Sequence, residues 1–229
     1  MSKPSIVRLE NVRKTYQMGS VPVEVLRGIT LEINSGEYVS IMGPSGCGKS
    51  TMLNLLGCLD QPTAGRYLLD EKDVSTLDDD SLSTIRGAKL GFIFQSYNLI
   101  QQLTVLENIE VPLYYQGRPE AESRDIAMEL AKIVGLEHRL HHKPRELSGG
   151  QQQRAGIARS LANDPLVLLA DEPTGNLDSS SGKDIFKIFE DLHHRGKTII
   201  MVTHDPGIAE LTTRTIRLRD GQIENDVRR

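Results

Sequence analysis

The sequence has few cysteines, no tryptophan and no long apolar run. Cys47 and Cys58 are the only two cysteines. They support neither a disulfide framework nor a zinc site, and we expect both to be reduced and buried. The longest apolar runs, near 167–170 and 198–202, are far shorter than the roughly 20 residues of a membrane span. The first ten residues, MSKPSIVRLE, also lack the apolar stretch of a signal peptide. These absences predict a soluble, cytoplasmic protein.

Positive charge is not in excess either. The chain carries 27 Lys and Arg against 31 Asp and Glu, a net charge of -4, and no basic block stands out. Because nucleic-acid binding needs a concentrated basic surface, we expect no nucleic-acid partner. A length of 229 residues allows one substantial core with at most a small attached lobe.

The order of apolar runs predicts an α/β fold. Continuous strand-like runs at 38–42, 90–94, 166–170 and 197–202 are typical of parallel strands that are buried on both faces. They alternate with amphipathic stretches near 121–134, 151–163 and 182–195, which predict helices. The first 35 residues differ, because IVRLENVRKTY and VEVLRGITLEI predict short strands of an antiparallel β region. The segment 96–150 has a helical pattern and predicts a helical lobe.

The strongest motif is a glycine-rich loop that matches GxxxxGK[ST] between a predicted strand and a predicted helix. Its glycines let backbone N–H groups turn towards phosphate oxygens. We expect Lys49 to reach the β- and γ-phosphates of a nucleotide and Ser50 to coordinate Mg²⁺. The loop consists of Gly43, Pro44, Ser45, Gly46, Cys47, Gly48, Lys49, Ser50 and Thr51.

Two adjacent carboxylates follow the apolar run at 166–170. Asp171 is predicted to hold Mg²⁺, and Glu172 to orient or deprotonate an attacking water. An apolar run that ends in Asp-Glu is common and by itself fits a plain strand end. The phosphate loop elsewhere in the chain favours the functional interpretation.

A third motif, LSGGQ at 147–151, precedes a predicted amphipathic helix. A Ser-Gly-Gly sequence at a helix N-terminus can bind an anion, although it also fits a flexible turn with a serine cap. One nucleotide rarely needs two phosphate-binding loops from the same chain. The motif by itself therefore does not decide between an anion site and a capped turn.

The order GPSGCGKST, LSGGQ, LLADEP resembles the nucleotide-binding subunits of ABC transporters over essentially the whole chain. The resemblance implies a P-loop NTPase core with a mostly parallel sheet, an antiparallel β subdomain and an inserted helical subdomain. It places the core and β subdomain at about 1–95 and 151–229, and the helical subdomain at about 96–150. It also implies ATP and Mg²⁺ as cofactors.

The resemblance further implies a head-to-tail dimer, in which the signature of one subunit contacts the γ-phosphate that the other subunit holds. Each implied role falls on a matching position of this sequence. Tyr16 would stack on adenine, Gln95 would contact Mg²⁺ and the attacking water, Asp178 would bridge the two sites, and His204 would contact the γ-phosphate. The signature residues that would act in the partner's site are Ser148, Gly149, Gly150 and Gln151.

Within this family, PTGNLD, LGCLD and the segment that begins FIFQSYNLI resemble the group of lipoprotein-release, macrolide-export and cell-division ATPases. The expected partners are a second copy of the chain and an integral membrane permease, which would hold the protein at the inner face of the membrane. Two alternatives remain. One is a soluble ABC ATPase of chromosome maintenance, DNA repair or translation, and the other is a non-transporting regulator of cell-envelope or cell-division machinery.

Overall fold

The computed structural model describes residues 4–229, which form two compact units. One unit contains the described residues up to Arg86 together with Gly196–Arg229, and the other contains Gly87–Arg195. The strands are β1 (Ser5–Met18), β2 (Val21–Asn34), β3 (Tyr38–Met42), β4 (Ala64–Leu69), β5 (Lys72–Asp73), β6 (Leu90–Ile93), β7 (Val167–Asp171), β8 (Thr198–Val202), β9 (Arg214–Arg219) and β10 (Gln222–Arg228). The helices are α1 (Lys49–Leu56), α2 (Asp79–Lys89), α3 (Val105–Tyr115), α4 (Glu120–Ile133), α5 (Gly149–Leu161), α6 (Ser179–His194) and α7 (Pro206–Ala209), with one 3-10 turn at Pro144–Glu146.

The first unit contains an antiparallel sheet with the strand order β2-β1-β4-β5. The predicted antiparallel region is therefore confirmed, but the prediction of short strands is wrong. Strands β1 and β2 run for 14 residues each, and irregularities in their register lie on both sides of Val12. Bulges of this kind absorb an extra residue and let a long, twisted strand continue. The polar residues in the middle of β1 therefore do not end the strand.

The same unit contains four further strands, in the order β10-β9-β3-β8. Strand β3 pairs in parallel with both β8 and β9, whereas β10 pairs antiparallel with β9. All five residues of β3 and all five of β8 are buried, as their continuous apolar sequences predict. Because Ile41 pairs with Val202, the loops that follow β3 and β8 leave the sheet at the same edge.

The second unit contains the parallel pair β6 and β7 together with α3, α4, α5 and α6. Helix α3 packs against α4 and α5, and α5 also packs against α6. The helices predicted near 121–134, 151–163 and 182–195 are confirmed as α4, α5 and α6. Because Ile93 pairs with Ala170, the segments after β6 and β7 also leave at one edge.

The α/β class with parallel and antiparallel sheets is confirmed. The finer boundaries of a helical subdomain at about 96–150 remain a prediction. Cys47 and Cys58 are both free and buried, and burial raises the pKa of the Cys58 thiol to about 11. Within residues 4–229, no helix is both long and apolar enough to cross a membrane.

Candidate functional site: a nucleotide loop and a signature helix

The predicted site residues are divided between the two units. The first unit carries Tyr16, the loop 43–51 and His204. The second unit carries the remainder, which are Gln95, Ser148, Gly149, Gly150, Gln151, Asp171, Glu172 and Asp178.

The glycine-rich loop connects β3 directly to α1. Gly43 has a φ of 156°, and a Cβ added there would lie 2.3 Å from the Leu218 carbonyl oxygen. Gly48 precedes α1 with a φ of 104°, and a Cβ there would lie 2.8 Å from a methyl group of Leu26. No larger residue fits at either position without movement of its surroundings. The tight backbone path of the loop therefore depends on these two glycines.

Lys49 is the first residue of α1, and its side chain reaches back over the loop. The Lys49 Nζ donates hydrogen bonds to the carbonyl oxygens of Gly43 at 2.7 Å and Pro44 at 2.9 Å. Ser50, the next residue, is exposed. The ammonium group and the free N–H groups of the first helical turn thus give this loop a positive potential suited to phosphate.

Tyr16 lies in β1, opposite Val23 of β2. Its hydroxyl donates a hydrogen bond to Asp60 Oδ2 at 2.7 Å. Burial raises the pKa of the phenol, the hydrogen bond with Asp60 raises it further, and the side chain of Thr51 opposes the rise. Tyr16 is therefore adjacent to the first turn of the helix that follows the phosphate loop.

His204 is exposed and follows β8 by two residues. The intervening Thr203 is buried, and its N–H donates to the Ile41 carbonyl oxygen at 3.2 Å. His204 consequently leaves the sheet at the same edge as the glycine-rich loop. Its contact with a γ-phosphate remains a prediction.

In the second unit, Gln95 and the Asp171-Glu172 pair leave β6 and β7 at one edge. Glu172 has a φ of 41°, a left-handed backbone conformation that costs on the order of 1 kcal/mol or more for a residue with a side chain. Such strain is common where the fold holds a functional side chain in a defined direction. The structure is therefore compatible with a catalytic role for Glu172.

Gln95 has a partner that sequence reasoning missed. Its Nε2 donates to Asn176 Oδ1 at 3.2 Å, and Asn176 Nδ2 donates to the Gln95 carbonyl oxygen at 3.1 Å. A Cβ at Gly175 would lie 2.6 Å from Gln95 Nε2. The segment after β6 is thus hydrogen-bonded to the loop after β7. Asn176 lies in PTGNLD, which indicated only a subgroup of the family.

The signature segment forms the N-terminus of α5. Ser148 Oγ accepts a hydrogen bond from the Gln151 N–H at 3.3 Å, and Gln151 Oε1 accepts one from the Ser148 N–H at 3.0 Å. This reciprocal arrangement is a capping box. A surface cavity of about 190 Å³ is lined by Ser148, Gly150, Gln151, Arg154 and Ser181. A surface cavity therefore lies at this helix N-terminus.

Asp178 caps the N-terminus of α6. Its carboxylate accepts hydrogen bonds from the hydroxyl groups of Ser180 and Ser181, at 2.5 and 2.7 Å, and from both of their N–H groups. These hydrogen bonds, led by that of the Ser180 side chain, hold the pKa of Asp178 well below its usual range. Within this chain, Asp178 thus stabilises the helix that follows the Asn176 loop.

These features together define an ATP-binding cassette: a phosphate loop between a buried strand and a helix, a strand that ends in two acids, and a capped Ser-Gly-Gly helix. The sequence model of the family "ABC transporter" matches residues 26–175, and the chain belongs to this family. It binds and hydrolyses ATP as the ATPase subunit of an ABC transporter.

The relatives agree with this assignment. The chain is 52% identical to an uncharacterized ABC transporter ATP-binding protein of Thermotoga maritima, over 98% of this chain and 96% of that protein. It is 54% identical to the macrolide export ATP-binding/permease protein MacB of Brucella melitensis, over 99% of this chain but only 35% of MacB. A dimeric structure of the ATP-binding cassette MJ0796 in a post-hydrolysis state, bound to ADP and Pi, superposes with a TM-score of 0.89 at 48% identity and covers 97% of this chain and 98% of that one.

Proposed function

We propose that two copies of this chain bind two MgATP molecules head to tail and use their hydrolysis to drive a membrane permease that exports or extracts a lipoprotein, peptide or drug. The observation that carries this proposal is the presence of two separate helix N-termini next to glycine-containing motifs, that of α1 at Lys49 and that of α5 after Ser148; each is suited to an anion. A single ATP needs only one such cradle, so the second is available to a nucleotide held by another copy. The dimeric state of MJ0796 supports the same arrangement.

The roles of the individual residues are part of this proposal. Tyr16 stacks on the adenine, the loop 43–51 surrounds the phosphates, and Lys49 and His204 stabilise the negative charge that develops on the γ-phosphoryl group. Ser148, Gly149, Gly150 and Gln151 of the second copy contact that same group, and Asp178 supports the loop between the two sites.

In the hydrolysis step, Glu172 orients a water molecule and accepts its proton. The water oxygen forms a bond to the γ-phosphorus while the bond between that phosphorus and the bridging oxygen breaks, which releases ADP and phosphate. Positioning and charge stabilisation carry most of the catalysis, because phosphoryl transfer requires little covalent chemistry from the protein.

The residues present also fit a magnesium ion. Ser50, Gln95 and Asp171 offer hydroxyl, amide and carboxylate oxygens, which are the donors that Mg²⁺ prefers. In nucleotide sites Mg²⁺ is usually held by one or two carboxylates together with substrate phosphates, and Asp171 would be the carboxylate here. When bound, the ion neutralises charge on the phosphate oxygens.

Likeness to MacB, which is named as both an ATP-binding and a permease protein, supports an integral membrane permease as the partner. Contact with such a permease places the chain on the cytoplasmic side, at the inner face of the membrane. Motion between open and closed dimers would then be passed to the permease during each ATP cycle.

The test uses a Glu172→Gln variant, which keeps the size and polarity of the side chain but cannot accept a proton. With MgATP, we expect this variant to accumulate as a dimer in size-exclusion chromatography with light scattering, and its ATP turnover to fall at least 100-fold. Glu129→Gln, an exposed site on α4, is the matched control and should behave as the wild type. Normal turnover in the Glu172→Gln variant would refute the assignment of the base. A variant that stays monomeric with ATP while its turnover is lost would refute the dimer.

A further inference from the structure

Lys14, Tyr16 and Asp60 form a connected group in the first unit. Tyr16 donates its hydroxyl hydrogen to Asp60 Oδ2 at 2.7 Å, and the Lys14 Nζ donates to Asp60 Oδ1 at 2.5 Å. The Lys14 Nζ also donates to the Gln61 carbonyl oxygen at 2.8 Å. Because the side chains of Lys14 and Tyr16 contact the same carboxylate, they lie on one side of β1. The phenol and the ammonium group are thus held by one carboxylate.

The ammonium group of Lys14 also covers the ring of Tyr16. Its Nζ lies 4.8 Å from the ring centroid, within the range of a cation–π contact. The Lys14 side chain is only 11% exposed, so it is more restricted than the side chain of an exposed lysine. Because a cation covers one face of the ring, a purine that stacks on Tyr16 must use the opposite face.

Asp60 connects this ring to the segment that follows α1. It lies in the segment after α1, and the Gln61 N–H donates to its Oδ1 at 2.8 Å. Burial opposes ionisation of Asp60, but hydrogen bonds from Lys14, Tyr16 and Gln61 outweigh this effect and lower its pKa. The carboxylate is therefore ionised at neutral pH and accepts from all three groups. Helix α1 begins at Lys49 in the phosphate loop and ends shortly before Asp60.

We propose that Lys14 and Asp60 are positioning residues that fix the ring plane of Tyr16 for the adenine base of ATP. This inference rests on the proposed stacking role of Tyr16. The Asp60 carboxylate anchors the Tyr16 hydroxyl to the segment after α1, and Lys14 covers one face of the ring, which leaves the other face for the base. LGCLD, the segment that contains Asp60, by itself indicates only a subgroup of the family.

The experiment measures ATP affinity by calorimetry and KM and kcat by phosphate release in Asp60→Asn, Lys14→Met and Tyr16→Ala. We expect Tyr16→Ala to weaken ATP binding about tenfold, within the range that base–aromatic stacking supports. Asp60→Asn and Lys14→Met should raise Kd and KM about threefold to fivefold with kcat unchanged, because the ring stays but its orientation is lost. Combined with Tyr16→Ala, neither should add a further loss.

Tripolyphosphate, used as a competitor, separates positioning of the base from damage to the loop, since it carries phosphates but no base. Its affinity should be the same in the wild type and in Asp60→Asn. Asp73→Asn, which removes another paired carboxylate of the same unit, is the matched control and should leave both ligands unaffected.

Three results would overturn the inference in distinguishable ways. If Tyr16→Ala leaves ATP affinity unchanged, the stacking role itself is wrong, and the inference fails with it. If Tyr16→Ala weakens ATP but Asp60→Asn and Lys14→Met do not, only the positioning role fails. If Asp60→Asn weakens tripolyphosphate as much as ATP, Asp60 supports the phosphate loop and does not position the base.

Discussion

Replacing Arg214 with methionine removes the most extensively paired buried cation described in the first unit. Its guanidinium group donates to Asp226 at 2.6 and 2.8 Å, to Glu37 at 2.7 Å and to the Glu32 carbonyl oxygen at 2.7 Å. The Arg214 side chain is only 5% exposed. These bonds join β9 to β10, to the end of β2 and to the residue that precedes β3, so the loss affects both sheets of the unit.

The expected cost follows from the surroundings of the two carboxylates. Removing one partner of a buried ion pair typically costs about 3–5 kcal/mol, because the other charge stays desolvated. Here Asp226 is 35% exposed and Glu37 keeps a second ion pair with Arg228 at 3.3 Å, which places the cost near the lower end, about 3 kcal/mol. For a chain of this size, that loss corresponds to a decrease of about 6–12 °C in Tm.

Arg219 offers a matched control on the same strand. It pairs with Glu224 at 2.8 Å, but its side chain is 65% exposed, so Arg219→Met should cost no more than about 1 kcal/mol. The chain contains no tryptophan, so far-UV circular dichroism should follow unfolding in urea and on heating. Equal costs for Arg214→Met and Arg219→Met would show that burial does not determine the strength of these pairs.

Two further predictions concern pH and the phosphate loop. Hydrogen bonding and charge from Arg214 lower the pKa of Asp226, so this carboxylate contributes stability that is fully present above its unfolded pKa of about 3.9 and is lost as pH falls through its folded pKa. The stability gap between wild type and Arg214→Met should be constant from about pH 5 to 8 and shrink as the pH falls below about 4. Urea midpoints across this range test this, and a gap of the same size at every pH would contradict it. Gly43→Ala should abolish ATP binding in calorimetry, because the added Cβ would lie 2.3 Å from a backbone oxygen of β9. Gly117 has a φ of 71°, and nothing lies within 4 Å of a Cβ added there. As the control, Gly117→Ala should cost about 1 kcal/mol of stability and leave ATP binding intact. Retained ATP binding in Gly43→Ala would refute the steric argument.

Local patterns predicted the features that depend on local physics. The GxxxxGK[ST] pattern specified a backbone path that only glycines permit, and the structure places that loop between β3 and α1. Continuous apolar runs predicted β3, β6, β7 and β8 because strands buried on both faces have no polar side to present. The Ser-Gly-Gly sequence likewise predicted a helix N-terminus, which is found at α5.

Local sequence patterns do not predict contacts between distant segments of the chain. The Tyr16 hydroxyl meets Asp60 across 44 positions, and Gln95 meets Asn176 across 81. The length of β1 was also underestimated, since bulges are set by pairing with a neighbouring strand and not by the strand's own residues.

The sequence by itself determined the chemistry of this protein: a phosphate loop, two acids at a strand end and a signature helix, each encoded within a few consecutive residues. Only the tertiary structure decided which side chains hold those groups in place. No local pattern indicates the contacts of Asp60, Asn176 or Arg214, because these hydrogen bonds form only when sheet pairing and loop paths bring remote segments within about 3 Å of each other.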